Sequence, residues 1–169
     1  MIIIRSILIF PQISSLANVQ HVRSLYDPLA THIRPHISLI FPFRSELSNQ
    51  NIISAIKSSV RFIKPFKTTF NKLGHDNNGY IWLEATQGKD QLINLHDELY
   101  QHKYFSSFLR KDIPYAPHIT LGKVREEKVE EILNTIQLTN IQFVTKIESI
   151  SVEKILPNDD SDEFCQIML

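Results

Sequence analysis

One five-residue phrase occurs twice, as Pro35-His36-Ile37-Ser38-Leu39 and as Pro117-His118-Ile119-Thr120-Leu121, and its period limits what the chain can fold into. Side chains on an extended strand alternate between faces, so His36 and Ser38 share one face while Ile37 and Leu39 share the other. The second copy obeys the same rule, with His118 and Thr120 opposite Ile119 and Leu121. Each phrase therefore reads as a strand with one buried apolar face and one face carrying an imidazole and a hydroxyl. Two such strands facing across a cleft supply two titratable groups and two hydrogen-bond donors.

At 169 residues and 43% hydrophobic content, the chain is long enough to bury a substantial core as one domain or two packed lobes. The start, Met1 to Phe10, is apolar but interrupted by Arg5 and Ser6 with no basic segment before it, which fits a first strand better than a signal peptide. No run approaches the roughly 18 apolar residues of a membrane-spanning helix, so no membrane partner is expected. The single cysteine, Cys165, cannot close an internal disulfide, and a reducing cytosol is the simplest compartment. With 18 basic and 18 acidic residues the formal charge is zero, which argues against coating long nucleic acid by charge and leaves short RNA ends or nucleotides as partners.

Hydrophobic spacing predicts alternating strands and helices. Ile2 to Phe10 reads as a strand ending at Pro11. Leu16, Val19, Val22 and Leu25 or Tyr26 mark a helix, and His36 to Phe43 a second strand. Ser48 starts a helix whose stripe is Ile52, Ile53, Ile56, Val60 and Ile63. Phe66 to Leu73 and Tyr80 to Ala85 form a hairpin around Asp76-Asn77-Asn78-Gly79, residues that tolerate positive φ. Leu92, Leu95, His96, Leu99 and Tyr100 mark a further helix before the second histidine strand. Glu126 to Ile136 is a short amphipathic helix, Ile141 to Leu156 a long bent strand, and Glu163 to Leu169 a last strand pairing back on it. The turn-linked pairs indicate antiparallel sheets. The fold class is α+β, with two similar sheet-and-helix lobes of about 85 residues each in a single unit over residues 1–169.

With both motifs and their half-chain spacing in view, the chain resembles the 2H phosphoesterase superfamily, in its 2'-5' RNA ligase-like branch, whose hallmark is two His-x-Ser/Thr motifs, one per lobe. The resemblance implies a duplicated bilobal fold with a central cleft. It also implies cleavage or formation of a nucleotide or RNA-end phosphodiester, typically opening of a 2',3'-cyclic phosphate to a 2'-phosphate. Imidazole titrates near ~6.5 and can take a proton from the entering oxygen or give one to the leaving oxygen. His36 and His118 are the expected base and acid, in an order the sequence leaves open. Ser38 and Thr120 are expected to donate to the non-bridging phosphate oxygens. The scheme needs no metal and no cofactor.

Four neighbours extend the expected site. Gly122 lies two residues beyond Thr120, where a missing side chain lets phosphate or base approach, or else marks a strand irregularity. Lys123 stands where many relatives carry arginine, and lysine lacks the bidentate fork. Tyr115 and Phe43 either stack on a nucleobase or pack in the ordinary way. A metal site is the natural rival, since there are seven histidines. Pro35 prevents His32 and His36 from sharing a regular helical face, and no His-Glu-x-x-His or paired-cysteine pattern occurs, so His21, His32, His75, His96 and His102 read as surface or packing residues. Nucleophilic attack by Ser38 or Thr120 lacks an elbow motif such as Gly-x-Ser-x-Gly. The non-enzymatic alternative is an RNA- or nucleotide-binding module with the same cleft and no turnover.

Overall fold

The computed structural model describes residues 2–169. Eight strands and four helices follow in the order β1 (Ile3–Ile9), α1 (Leu16–Tyr26), β2 (Ile37–Ser45), α2 (Asn49–Val60), β3 (Phe66–His75), β4 (Tyr80–Ala85), α3 (Lys89–Gln101), β5 (His118–Lys123), α4 (Val129–Gln137), β6 (Phe143–Ile147), β7 (Ser149–Ile155) and β8 (Ser161–Met168). Local chemistry accounts for the boundaries. Ser48 caps α2 by accepting from the Asn51 N–H at 3.1 Å, and Ile52, Ala55, Ile56 and Val60 bury one helical face. The β3–β4 turn closes because Asp76 Oδ1 accepts from the N–H groups of Asn78 and Tyr80, while Gly79 takes a φ of 83°. In α1 the ends of the expected stripe, Leu16 and Leu25, are exposed; the buried residues are Val19, Val22 and Arg23. Arg23 tolerates burial because Asp27, one turn on, pairs with it at 2.7 Å.

Two four-stranded antiparallel sheets result, ordered β2-β1-β7-β8 and β5-β4-β3-β6. They do not correspond to the two chain halves. The stretch expected as one bent strand divides at Glu148: β6 completes the second sheet and β7 crosses to pair with β1 in the first. The β7–β8 hairpin thus returns the C-terminal end of the chain to the N-terminal sheet. The expected α+β fold of two antiparallel sheet-and-helix lobes is present, and each lobe carries one repeat, since β2 and β5 are each the edge strand of their own sheet and the two edges touch.

One continuous apolar core joins both sheets and includes Ile37, Leu39, Ile119 and Leu121, all at most 1% exposed. Burial of each such side chain is worth about 1.5–3 kcal/mol. A one-residue slip would move all of them to the other face, so this burial fixes the register and turns His36, Ser38, His118 and Thr120 outward.

Strict alternation breaks beyond each phrase. The β4–β5 ladder pairs Trp82 with Thr120 but Ile81 with Gly122, which inserts one extra residue and turns Leu121 and Gly122 inward together. A Cβ built on Gly122 would stand 2.5 Å from Tyr26 Cβ and 3.0 Å from the Tyr26 carbonyl oxygen, so the glycine lets the end of α1 lie directly on β5. Gly122→Ala is expected to lower the unfolding free energy by about 1–3 kcal/mol through overpacking, measured as a shift in the urea midpoint with unchanged slope.

Candidate active site

A cleft of about 990 Å³ is walled by both sheets, and His36, Ser38, His118 and Thr120 all line it. The two imidazoles are held in the same manner. His36 precedes the first residue of β2, and its Nδ1 lies 2.9 Å from the Arg34 carbonyl oxygen. His118 opens β5, and its Nδ1 lies 2.6 Å from the Ala116 carbonyl oxygen. A carbonyl only accepts, so each Nδ1 carries the proton and donates it, which leaves each Nε2 as the free nitrogen. Burial pushes both histidines below the ordinary imidazole value, against the opposing pull of those carbonyls. The charge of His36 also lowers His118, so the rings are near enough to sense each other.

Each ring has an aromatic support. Phe10 meets His36 edge-on at 6.3 Å, and Arg34 covers Phe10 at 3.8 Å while pairing with Glu163 at 2.6 Å. Trp82 lies against His118 at 5.0 Å between ring centres and donates from Nε1 to Glu84 Oε1 at 3.1 Å. Gly74 makes room for that indole, since a Cβ there would stand 2.4 Å from Trp82 Nε1.

The four neighbouring positions fall differently. Tyr115 lines the cleft, but one of its faces stacks on His96 at 3.8 Å and its hydroxyl donates to the Ser38 carbonyl at 2.8 Å, bridging the two histidine strands. Phe43 is buried against Phe105 and Phe108 instead of lining the cleft. A bulge in the β1–β2 pairing between Arg5 and Ile7 shifts the faces there and brings Phe41 to the cleft. Gly122 abuts Tyr26 and is not among the residues lining the cleft. Lys123 lies outside the cleft lining, 4.3 Å above the Tyr80 ring and bonded to the Asn78 carbonyl.

Several cleft residues escaped sequence reasoning. Phe41, Tyr80 and Trp82 add aromatic surface to it beside Tyr115, and Glu153 is a buried carboxylate in its lining that accepts from the hydroxyls of Ser6 and Ser161. Ser6 and Glu153 are 147 positions apart, and only the β1–β7 pairing joins them. The alternation of β4 was the available signal for Tyr80 and Trp82. Of the other histidines, His96 is buried under Tyr115, His32 pairs with Asp160 at 2.8 Å, and His75 lies 4.0 Å from Glu130. Among the described residues no three His, Cys, Asp or Glu side chains group as metal ligands, and no helix is long and apolar enough to cross a membrane.

The sequence matches the 2'-5' RNA ligase superfamily over residues 11–158. A candidate phosphoesterase of Oceanobacillus iheyensis is 24% identical over 159 residues, covering 90% of each chain. One from Bacillus licheniformis is 28% identical over 141 residues, covering 78% of each. Among solved structures, E. coli LigT complexed with 3'-AMP superposes with a TM-score of 0.69 at 16% identity, over 100% of this chain and 99% of that one. Kluyveromyces marxianus Usb1 with uridine monophosphate gives 0.51 at 10% identity over 98% of each chain. These two likenesses speak to the fold.

Two outcomes follow from the geometry. Tyr115→Phe removes the bond that ties β5's approach to β2 and is expected to cost about 1 kcal/mol of stability, read by urea denaturation. In NMR titrations the His36 and His118 rings should both protonate below the ordinary value of about 6.5. The folded chain then binds fewer protons than the unfolded one in that range, so the stability tied to these rings is full above about 6.5 and is lost as pH falls through their folded values.

Proposed function

The chain belongs to the 2'-5' RNA ligase superfamily, and from that premise we propose that it is a phosphoesterase opening a 2',3'-cyclic phosphate to a 2'-phosphate by two-histidine acid–base catalysis. The observation carrying this reading is the pair of imidazoles on facing edge strands of one cleft, each with Nε2 free and a hydroxyl two residues on. The 3'-AMP and uridine monophosphate in the structures of E. coli LigT and Usb1 support a nucleotide as the substrate class.

In the proposed reaction one neutral Nε2 takes a proton from water as its oxygen attacks phosphorus. The P–O3' bond breaks, and the other histidine, protonated, gives its proton to the departing 3' oxygen. The product is the 2'-phosphate, and the two histidines have exchanged protonation states. In the reverse direction they exchange roles. Ser38 and Thr120 donate to the non-bridging oxygens, where negative charge grows at the five-coordinate phosphorus. The Nδ1–H bonds to Arg34 and Ala116 hold the ring orientation through both states. The free thiol of Cys165 is compatible with action in a reducing cytosol.

The test is incubation in EDTA with adenosine and uridine 2',3'-cyclic phosphates, with products separated by chromatography. Wild type should yield the 2'-phosphate alone. His36→Ala and His118→Ala should each lose about 10²- to 10⁴-fold in kcat, and Ser38→Ala or Thr120→Ala about 10- to 10³-fold. Binding without turnover would favour the module reading, and activity surviving both histidine substitutions would overturn the site. Because both rings are pushed down, neutral base and protonated acid coexist best at low pH. The bell-shaped profile of kcat/KM should therefore peak on the acid side of about 6.5.

A further inference from the structure

A cleft built to hold RNA along its phosphates would be lined with unpaired cations. This one is not. Among the described residues, its charged lining consists of Asp76, Asp97, Glu153 and Asp159 against a single lysine or arginine, Arg110. Arg110 is itself held in a two-bond fork by Asp112, at 2.9 Å and 2.7 Å. Arg34, Lys72 and Arg23 are likewise paired with carboxylates, with Glu163, Glu84 and Asp27, while Lys154 lies over the Phe164 ring. Lys123 lies outside the lining, over Tyr80. Both catalytic candidates are pushed toward the neutral form by burial and so add little positive potential of their own. The rest of the wall is mostly aliphatic or aromatic, Leu29, Ile33, Phe41, Trp82 and Ile113 among it, and the volume of about 990 Å³ is at the upper end for a small-molecule site.

We infer that the substrate carries one negative charge, on the reacting phosphodiester, and that its remaining bulk is uncharged and aromatic or aliphatic, so that small cyclic phosphates are preferred over RNA strands. The inference rests on the reading of the cleft as a phosphodiester site and adds which phosphodiesters enter it. The mechanism is repulsion: a second phosphate entering the cleft meets fixed carboxylates, and among the described lining residues no unpaired lysine or arginine offsets them. Low-dielectric walls strengthen that repulsion. It is long-ranged, so salt weakens it, the reverse of the salt effect on a protein that binds nucleic acid through its phosphates.

The experiment compares kcat/KM for adenosine 2',3'-cyclic phosphate, the same nucleotide bearing a 5'-phosphate, and a trinucleotide ending in a 2',3'-cyclic phosphate. It is run at about 20 mM and about 200 mM salt, which brackets a Debye length near 10 Å. The 5'-phosphate is expected to lower kcat/KM by about three- to tenfold at low salt, with the gap narrowing at high salt. The trinucleotide should rank no higher than the unmodified nucleotide. Asp159→Asn should narrow the ratio between the first two substrates. Asp159 has a φ of 66°, a conformation asparagine accepts, so the turn keeps its shape. A trinucleotide turned over faster than the mononucleotide, with rates that fall as salt rises, would overturn the inference, as would a ratio unmoved by salt and by Asp159→Asn. If none of the three is turned over, the proposed function fails, and calorimetric affinities of the same compounds decide the charge preference by the same ordering.

Discussion

The cleft depends on the burial of four side chains that never touch it. Ile37, Leu39, Ile119 and Leu121 anchor the two edge strands in one shared core, and their burial decides which way the intervening residues point. Four such side chains at about 1.5–3 kcal/mol each are comparable to the whole net stability of a domain of this size. The register that points His36, Ser38, His118 and Thr120 into the cleft is therefore as firm as the fold. Chemistry placed on loops would lack that guarantee. Here the polar half of each repeat inherits its direction from the apolar half, which is why a five-residue phrase can carry so much.

A second level of order is local to each ring. The carbonyl two residues upstream of each histidine selects the tautomer, so the same nitrogen faces the cleft in both strands. The Tyr115 hydroxyl then fixes one strand against the other through the backbone of Ser38 itself, while its ring is clamped on His96. Backbone groups thus do much of the positioning. A substitution at Arg34 or Ala116 would leave the carbonyl in place, whereas a change in the path of the chain before either histidine would not.

The limits of the sequence reading follow from the same physics. Period-two alternation located the histidine strands, and helical spacing located α2, α3 and α4, because each signal lies within one element. Two kinds of information lie outside that reach. Bulges in the β1–β2 and β4–β5 ladders reverse the faces of Phe41 and Gly122 and return Phe43 to the core, and a bulge is decided by the partner strand. Strand pairing across the chain is the other. The division at Glu148 sends β7 to the first sheet and so creates the Ser6–Glu153–Ser161 cluster on the cleft wall. Lys123 went to Tyr80, and its side chain adds no cation to the cleft lining.

The charge balance of the cleft bears on how two histidines can divide one reaction. Each is surrounded by more acidic than basic influence: Glu153 and Asp27 favour the charged form of His36 against Arg23, and Glu84 and Asp76 favour that of His118. Burial outweighs these carboxylates, and the charge of one ring opposes protonation of the other, so both rings are biased toward the form with no proton on Nε2. A phosphodiester brings one negative charge into this setting. That charge favours a proton on one imidazole, while mutual repulsion disfavours a proton on both. One protonated and one neutral ring is the state that the proposed displacement requires. A substrate with further negative charge would still recruit the proton but would meet Asp76, Asp97, Glu153 and Asp159 as well. Asp76 and Glu153 belong to both sets, so carboxylates that help charge the pair are also among those that, on the inferred preference, limit how much charge the substrate can carry.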